Sequence, residues 1–235
     1  MSSLKMLSGN TLKIIAMVAM LVDHIGLILF PKVQILRIIG RIALPVFAFM
    51  VAEGCIHTKN KLKYFLTIFL LAVICQLGYF VAGFGLDLSI LVTFSYSLLI
   101  IYSLQNLCKK LLDGRKGEII FSSLLFVFVV GMTYIINRYY RADYGFWGCM
   151  LPVFAYIPVF VNQKASHIEK MLSFSAGLVI LSLKLGGIQM YSLLALPLLM
   201  LYSGERGRYR IKYLFYAFYP LHLIVLYFIG YIAGK

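Results

Sequence analysis

The chain has 235 residues, of which 62% are hydrophobic and 13% charged, with a mean hydropathy of +0.93. An ordinary soluble domain is about 45–50% apolar and about 25% charged, so this composition excludes a single soluble core, and it equally excludes a collagen-like, disordered or disulfide-scaffold chain. The charge is lopsided, 22 Lys plus Arg against 8 Asp plus Glu for a formal +14, which suits either a nucleic-acid reader or a protein that uses cations for topology and for a site in the membrane.

Apolar runs lie at 11–30, 38–56, 62–83, 88–108, 119–136, 145–162, 168–186, 187–202 and 212–233. At about 20 residues per crossing they predict an all-α polytopic membrane protein of about nine transmembrane helices, with 187–202 short for a span. Little remains for a separate soluble domain, so 1–235 is expected to form a single domain. The first run follows a short polar lead, Met1 to Asn10, without a small-residue cleavage site, and reads as a retained helix. Cys55, Cys75, Cys108 and Cys149 fall inside apolar runs at no metal-ligand spacing, which predicts buried free thiols.

With nine spans, Lys5, Lys13, Lys59, Lys61, Lys63, Lys109, Lys110, Arg115, Lys116, Lys164, Lys170, Arg206, Arg208, Arg210 and Lys212 share one side. Lys32, Arg37, Arg41, Arg138, Arg141, Lys184 and Lys235 make up the rest. The positive-inside rule then puts the N-terminus in the cytoplasm, with the chain in the cytoplasmic membrane. The cations belong to membrane-flanking connections and not to a compact soluble surface, which argues against nucleic acid as a partner and leaves membrane lipids.

A charge at mid-membrane costs about 2.5–3.5 kcal/mol on insertion scales, so ionisable groups inside the runs are the functional candidates. The first run reads Lys13-IIAMVAMLV-Asp23-His24. Eleven residues of helix put Lys13 and His24 about 16 Å apart on nearly one face. His24 is suited to proton exchange and Asp23 to raising its basicity, unless the pair is only solvated at a helix end. In the second run Arg37 and Arg41 are four apart and stack on one face, where they repel unless an anion, a carboxylate or a polarised carbonyl lies between them; their other reading is snorkelling to lipid phosphate. Pro45 frees a carbonyl near Arg41 and suits a kinked, cavity-lining segment. Glu53 and His57 close this run at the cytoplasmic end. Asp143 and Tyr144 precede the sixth run, and Tyr219 and His222 lie in the ninth, as contacts for a substrate or as structural groups. No phosphate loop, zinc-binding His-Glu-x-x-His, Gly-x-Ser-x-Gly or Cys-x-x-Cys is present, and no metal is expected.

The blocks LKIIAMVAMLVDHIG, LRIIGRIALPVFAFMVAEGCIHTKNKLKY, ADYGFWG and YAFYPLHL resemble successive blocks of the TraX family, whose founding activity is N-terminal acetylation of conjugative pilin. The likeness runs with gaps from residue 12 to 223; the stretch 86–136 matches only as hydrophobic segments. TraX proteins are in turn similar to transmembrane acyltransferases, among them acyltransferase family three and the lysosomal heparan glucosaminide acetyltransferase. There a basic residue precedes an essential His with ten residues between them; here the pair is Lys13 and His24, with Lys in place of the usual Arg.

The resemblance implies transfer of an acetyl or other acyl group from cytoplasmic acetyl-CoA, an acyl-CoA donor, to an extracytoplasmic acceptor: a pilin or other peptide amine, a glycan hydroxyl or a lipid head group. His24 is then the general base, or alternatively an acyl-carrying nucleophile, with Asp23 orienting or charging it and Arg41, alone or with Arg37, holding the oxyanion. Lys13, Arg37, Lys59, Lys61 and Lys63 are candidates for the donor, and Glu53, Asp143, Tyr144, Tyr219 and His222 for the acceptor. A proton- or anion-coupled transporter or channel, and a pilus or secretion assembly factor without catalysis, are the rival classes.

Overall fold

The structure, a computed structural model, describes residues 6–81, 88–113, 115–140, 142–208 and 211–234. Lys5, Arg141, Arg210 and Lys235, counted among the cations above, lie outside them. The described residues contain no strand; the helices are α1 Gly9–Ile28, α2 Gln34–Gly40, α3 Ala43–His57, α4 Lys61–Val81, α5 Ile90–Asp113, α6 Lys116–Tyr139, α7 Gly145–Val161 and α8 His167–Leu185. A 3-10 helix, Gly187–Leu194, then leads into α9 Ala195–Met200 and α10 Lys212–Ile232.

Among the described residues, six stretches are long and apolar enough to cross a membrane: Gly9–Ile28, Gln34–His57, Lys61–Gly78, Ile90–Leu112, Lys116–Tyr139 and Tyr213–Ile232. Together they make this a membrane protein. The other three runs differ from simple spans for local reasons. The helix α7 has only 17 residues and carries Pro152 and Pro158, each of which removes a helical hydrogen bond. In α8 the charged residues Glu169, Lys170 and Lys184 interrupt the apolar sequence. The run 187–202 starts at Gly186 and Gly187, both with positive φ (65° and 54°), a conformation that ends α8 and favours glycine; beyond them the chain winds as a 3-10 helix before α9.

The chain divides into two compact units, Met1–Met50 with Leu178–Lys235, and Val51–Gly177. In the second, α4 and α6 present Leu66, Leu70, Leu77, Phe121, Leu124, Val127 and Phe128 outward, as helices facing lipid do. Their partner α5 turns Thr93, Ser95 and Ser97 inward, and Ser89 just before it is also buried. The Thr93, Ser95 and Ser97 hydroxyls donate to carbonyls of Asp143, Leu91, Thr93 and Cys149. Polar contacts between helices stand in for the hydrophobic drive that lipid does not supply. All four cysteines are free thiols, with Cys55, Cys75 and Cys149 buried and Cys108 half-buried.

In the first unit the start of α1 is tied down by backbone. Ser8 caps the helix, its Oγ accepting from the Thr11 N–H at 3.2 Å. The N–H groups of Gly9 and Asn10 donate to the carbonyls of Glu205 and Arg206 at 2.8 and 3.0 Å. Donors that a helix start leaves orphaned are thus satisfied by the segment before α10. A Cβ on Gly207 (φ 96°) would come within 2.6 Å of Ser8 Oγ, so this closure depends on glycine there.

A candidate proton-transfer site built on α1, α2 and α10

The second run is not one helix. The Arg41 N–H bonds to Ile38 O at 3.2 Å and the Ile42 N–H to Ile39 O at 3.3 Å, so the chain tightens to 3-10 geometry between α2 and α3. That turn deprives Arg37 O of its usual i+4 backbone donor, and Arg41 Nε donates to it at 3.2 Å instead. Pro45 sits in the first turn of α3, just past this break.

Asp23 lies between the two guanidiniums. Arg37 Nη1 donates to Asp23 Oδ2 at 2.6 Å and to its carbonyl at 3.2 Å, and Arg41 Nη2 contacts Oδ1 and Oδ2 at 2.5 and 2.6 Å. Asp23 and Arg41 are each 8% exposed, so this is a buried cluster with a net charge of about +1. The approach needs Gly40, because a Cβ there would fall 2.2 Å from Asp23 Cβ and Oδ1. Gly40→Ala is therefore expected to destabilise the protein by about 1–3 kcal/mol, the usual cost of forcing atoms into a filled space. Thermal unfolding in detergent checks this, and an unchanged melting temperature would mean that Asp23 is not held as described.

This geometry shows where two residues given roles from the sequence make their contacts. The Asp23 carboxylate contacts the arginines and reaches His24, which points about 100° away on the helix, only through its charge. Arg41, expected from the sequence as the oxyanion donor, is engaged in contacts within the protein. Besides Asp23 and Arg37 O, it reaches Gln189 Oε1 from Nη1 at 3.4 Å. Arg37 differs, since its side chain is 22% exposed and its Nε and Nη2 have no hydrogen-bond partner among the described residues. It also lies close enough to His24 to act on it electrostatically.

His24 instead meets His222. Its Nδ1 is 2.9 Å from Met20 O, and His222 Nδ1 is 2.8 Å from Phe218 O. A carbonyl only accepts, so both rings are assigned as Nδ1–H tautomers from this network. The basic nitrogen of each is then Nε2. His222 Nε2 faces His24 Nδ1 at 3.2 Å, with the rings edge to face and centroids 5.0 Å apart. Phe218 stacks on His222 at 4.7 Å and Tyr219 meets it edge-on at 5.8 Å. His24 Nε2 is left without a partner among the described residues, as a general base requires.

At the other end of α1, Lys13 Nζ lies 5.7 Å from the centroid of the Phe215 ring, and Arg206 is the charge that acts on it. Neither cation is paired with a carboxylate among the described residues. Two unpaired cations with an aromatic face suit a phosphate-bearing ligand.

The remaining candidates belong to the second unit. Lys59, Lys61 and Lys63 are exposed, with Lys61 Nζ 5.7 Å from the Tyr102 ring centroid. Glu53 is buried and paired with Lys170 at 2.5 Å and with His57 Nε2 at 3.4 Å, so it closes a helix contact. Asp143 is exposed, its N–H bonding Leu88 O and its carbonyl accepting from Thr93. Tyr144 has φ 62° and starts α7, a left-handed conformation uncommon for a tyrosine.

Three residues escaped the sequence reading. Gly40 and Gln189 act through close approach, and the only signal for either was a small or polar residue inside an apolar run. Arg206 was counted for topology alone, and its place beside Lys13 depends on the backbone pairing of Asn10 with Arg206.

Comparison with known proteins follows the same lines. The chain is 29% identical to the probable fimbrial assembly protein FimC, serogroup H1, of Dichelobacter nodosus over 238 residues, covering 93% of this chain and 94% of that one. It is 60% identical to an uncharacterized protein of Rickettsia prowazekii (strain Madrid E) over 40 residues, 17% of this chain and 16% of the other. No solved structure matches. The family model described as TraX protein matches residues 8–230, and on that extent the chain belongs to the TraX family.

Proposed function

We propose that the protein is a membrane-embedded acyltransferase that moves an acetyl group from acetyl-CoA to an amine or hydroxyl outside the cytoplasm, most simply the N-terminal amine of a pilin-like peptide. The observation that carries this reading is His24, whose Nε2 is unpartnered among the described residues and lies within electrostatic reach of Arg37. Membership of the TraX family and the likeness to a protein named for fimbrial assembly support the substrate class.

When bound, the donor supplies an activated thioester. Lys13 and Arg206 would hold its phosphates, and about 16 Å of helical rise separates Lys13 from His24. His24 Nε2 takes the proton of the acceptor as the acceptor atom bonds to the acetyl carbon, and Arg37 stabilises the charge that develops on the carbonyl oxygen. The C–S bond breaks, and His24 returns the proton to the sulfur. The proposal includes nine crossings of the inner membrane, an N-terminus in the cytoplasm and one acyltransferase domain over 1–235. Its support is the cation distribution along the chain.

Transfer of label from radiolabelled acetyl-CoA to endogenous acceptors, in membranes with and without the protein, tests the activity. Equal labelling in both would refute it and favour a non-catalytic assembly role. Lys13→Ala and Arg206→Ala are each expected to raise the KM for acetyl-CoA by about threefold to tenfold with kcat little changed, since each removes about 1 kcal/mol of ion pairing with the donor. A fall in kcat at unchanged KM would remove these residues from donor binding.

A further inference from the structure

We propose that His222 is the positioning residue of His24, the part first expected of Asp23: it reinforces the Nδ1–H tautomer that Met20 O selects and accepts charge from its ring. The role deepens the acyltransfer reading and rests on it for its catalytic consequence.

The geometry is specific on three counts. Both histidines fold back onto the carbonyl four residues earlier, at 2.9 Å for His24 and 2.8 Å for His222, so each ring is held by its own helix before it meets the other. Each Nδ1 is thereby a donor and each Nε2 a lone pair. The contact between the rings then has one polarity: the His24 Nδ1–H, shared with Met20 O, points its hydrogen at the His222 Nε2 lone pair 3.2 Å away. The reverse polarity would leave a carbonyl facing a lone pair. His222 itself is 6% exposed and is clasped by Phe218 and Tyr219, which restricts its ring to this orientation.

The consequence is a chain of acceptors. When His24 Nε2 takes a proton, its Nδ1–H becomes a stronger donor, and His222 Nε2 accepts more of that proton. The charge thus spreads towards His222, whose own Nδ1–H is anchored on Phe218 O. A protonated His24 is steadied without a carboxylate in contact, as the carboxylate does in a Ser-His-Asp triad. The charged groups acting on His24 are His222 from α10, and Asp23 and Arg37 from α1 and α2. Asp23, held by Arg37 and Arg41, acts on His24 only from a distance, and His222 is the group in hydrogen-bond contact with its Nδ1.

Nitrogen-15 NMR of the full chain in nanodiscs, labelled at histidine, tests the assignment directly. There are four histidines, and the single variants His57→Gln and His167→Gln identify the other two. In the neutral form, His24 and His222 are expected to show a protonated Nδ1 and a bare Nε2. In His222→Phe the His24 signals should shift towards a mixture of tautomers, and acetyl transfer should fall by about 10- to 100-fold. His222→Gln, whose side-chain oxygen still accepts a hydrogen bond, should restore most of both. A protonated Nε2 on His222 in the wild type overturns the proposal. So does a His222→Phe variant whose His24 signals are unchanged, or a glutamine variant as impaired as the phenylalanine. If membranes with and without the protein label equally from acetyl-CoA, the acyltransfer reading falls by itself, and the spectra still decide whether His222 reinforces the His24 tautomer.

Discussion

Replacing His24 by alanine is expected to lower acetyl transfer by about 10²–10⁴-fold, the range that a positioned general base contributes, while membrane insertion and thermal stability stay near wild type. The two halves of this expectation have separate grounds. His24 carries the Nε2 lone pair that is unpartnered among the described residues and lies within electrostatic reach of Arg37, so its loss removes the proton acceptor itself. The fold, by contrast, loses little. Alanine is the best helix former for α1, and His222 keeps its bond to Phe218 O. The ion cluster of Asp23, Arg37 and Arg41 does not include the imidazole. Single-turnover labelling from acetyl-CoA, run beside size-exclusion profiles of the purified variant, separates the two. A well-folded His24→Ala protein that transfers at the wild-type rate would sink the mechanism. Retention of label on wild-type protein before acceptor is added would instead make His24 the nucleophile.

What could be read from sequence divides along physical lines. Hydropathy is a property of a local window, so the all-helical membrane architecture and most run positions were legible before any coordinates. The finer shape of the runs was not. The turn between Gly40 and Ile42, the paired glycines at 186 and 187, and the 3-10 helix Gly187–Leu194 are choices of single dihedral angles. The site shows the same contrast. Lys13, Asp23, His24, Arg37, Arg41 and His222 stood out because ionisable groups inside apolar runs are costly. Their pairing was hidden, because it depends on which residues meet across helices far apart in the chain, as His24 and His222 do across 198 positions. Adjacency of Asp23 and His24 suggested a couple, and because adjacency on a helix turns side chains away from each other, Asp23 reaches His24 only through its charge.

Asp23→Ala should be the most destabilising single change in the first unit, by about 3–5 kcal/mol, because it leaves the buried charge of Arg41 and the half-buried charge of Arg37 without their anion. Asp23→Asn should cost nearly as much: it keeps the shape but loses the charge, and an amide nitrogen then faces guanidinium donors at the present 2.5–2.6 Å contacts. The compensated variant Asp23→Leu with Arg37→Met and Arg41→Met should recover stability, since a buried ion cluster is often replaceable by apolar groups of similar volume. It should not recover transfer, because Arg37 goes with it. Melting temperature in detergent and membrane yield read the first effect, and labelling from acetyl-CoA reads the second. An Asp23→Ala protein that is fully stable but catalytically dead would return Asp23 to the imidazole and break the account of the cluster. The excess of positive charge in the whole chain acquires a local meaning here: one carboxylate holds two arginines against α1, and the remaining positive charge sits beside the base.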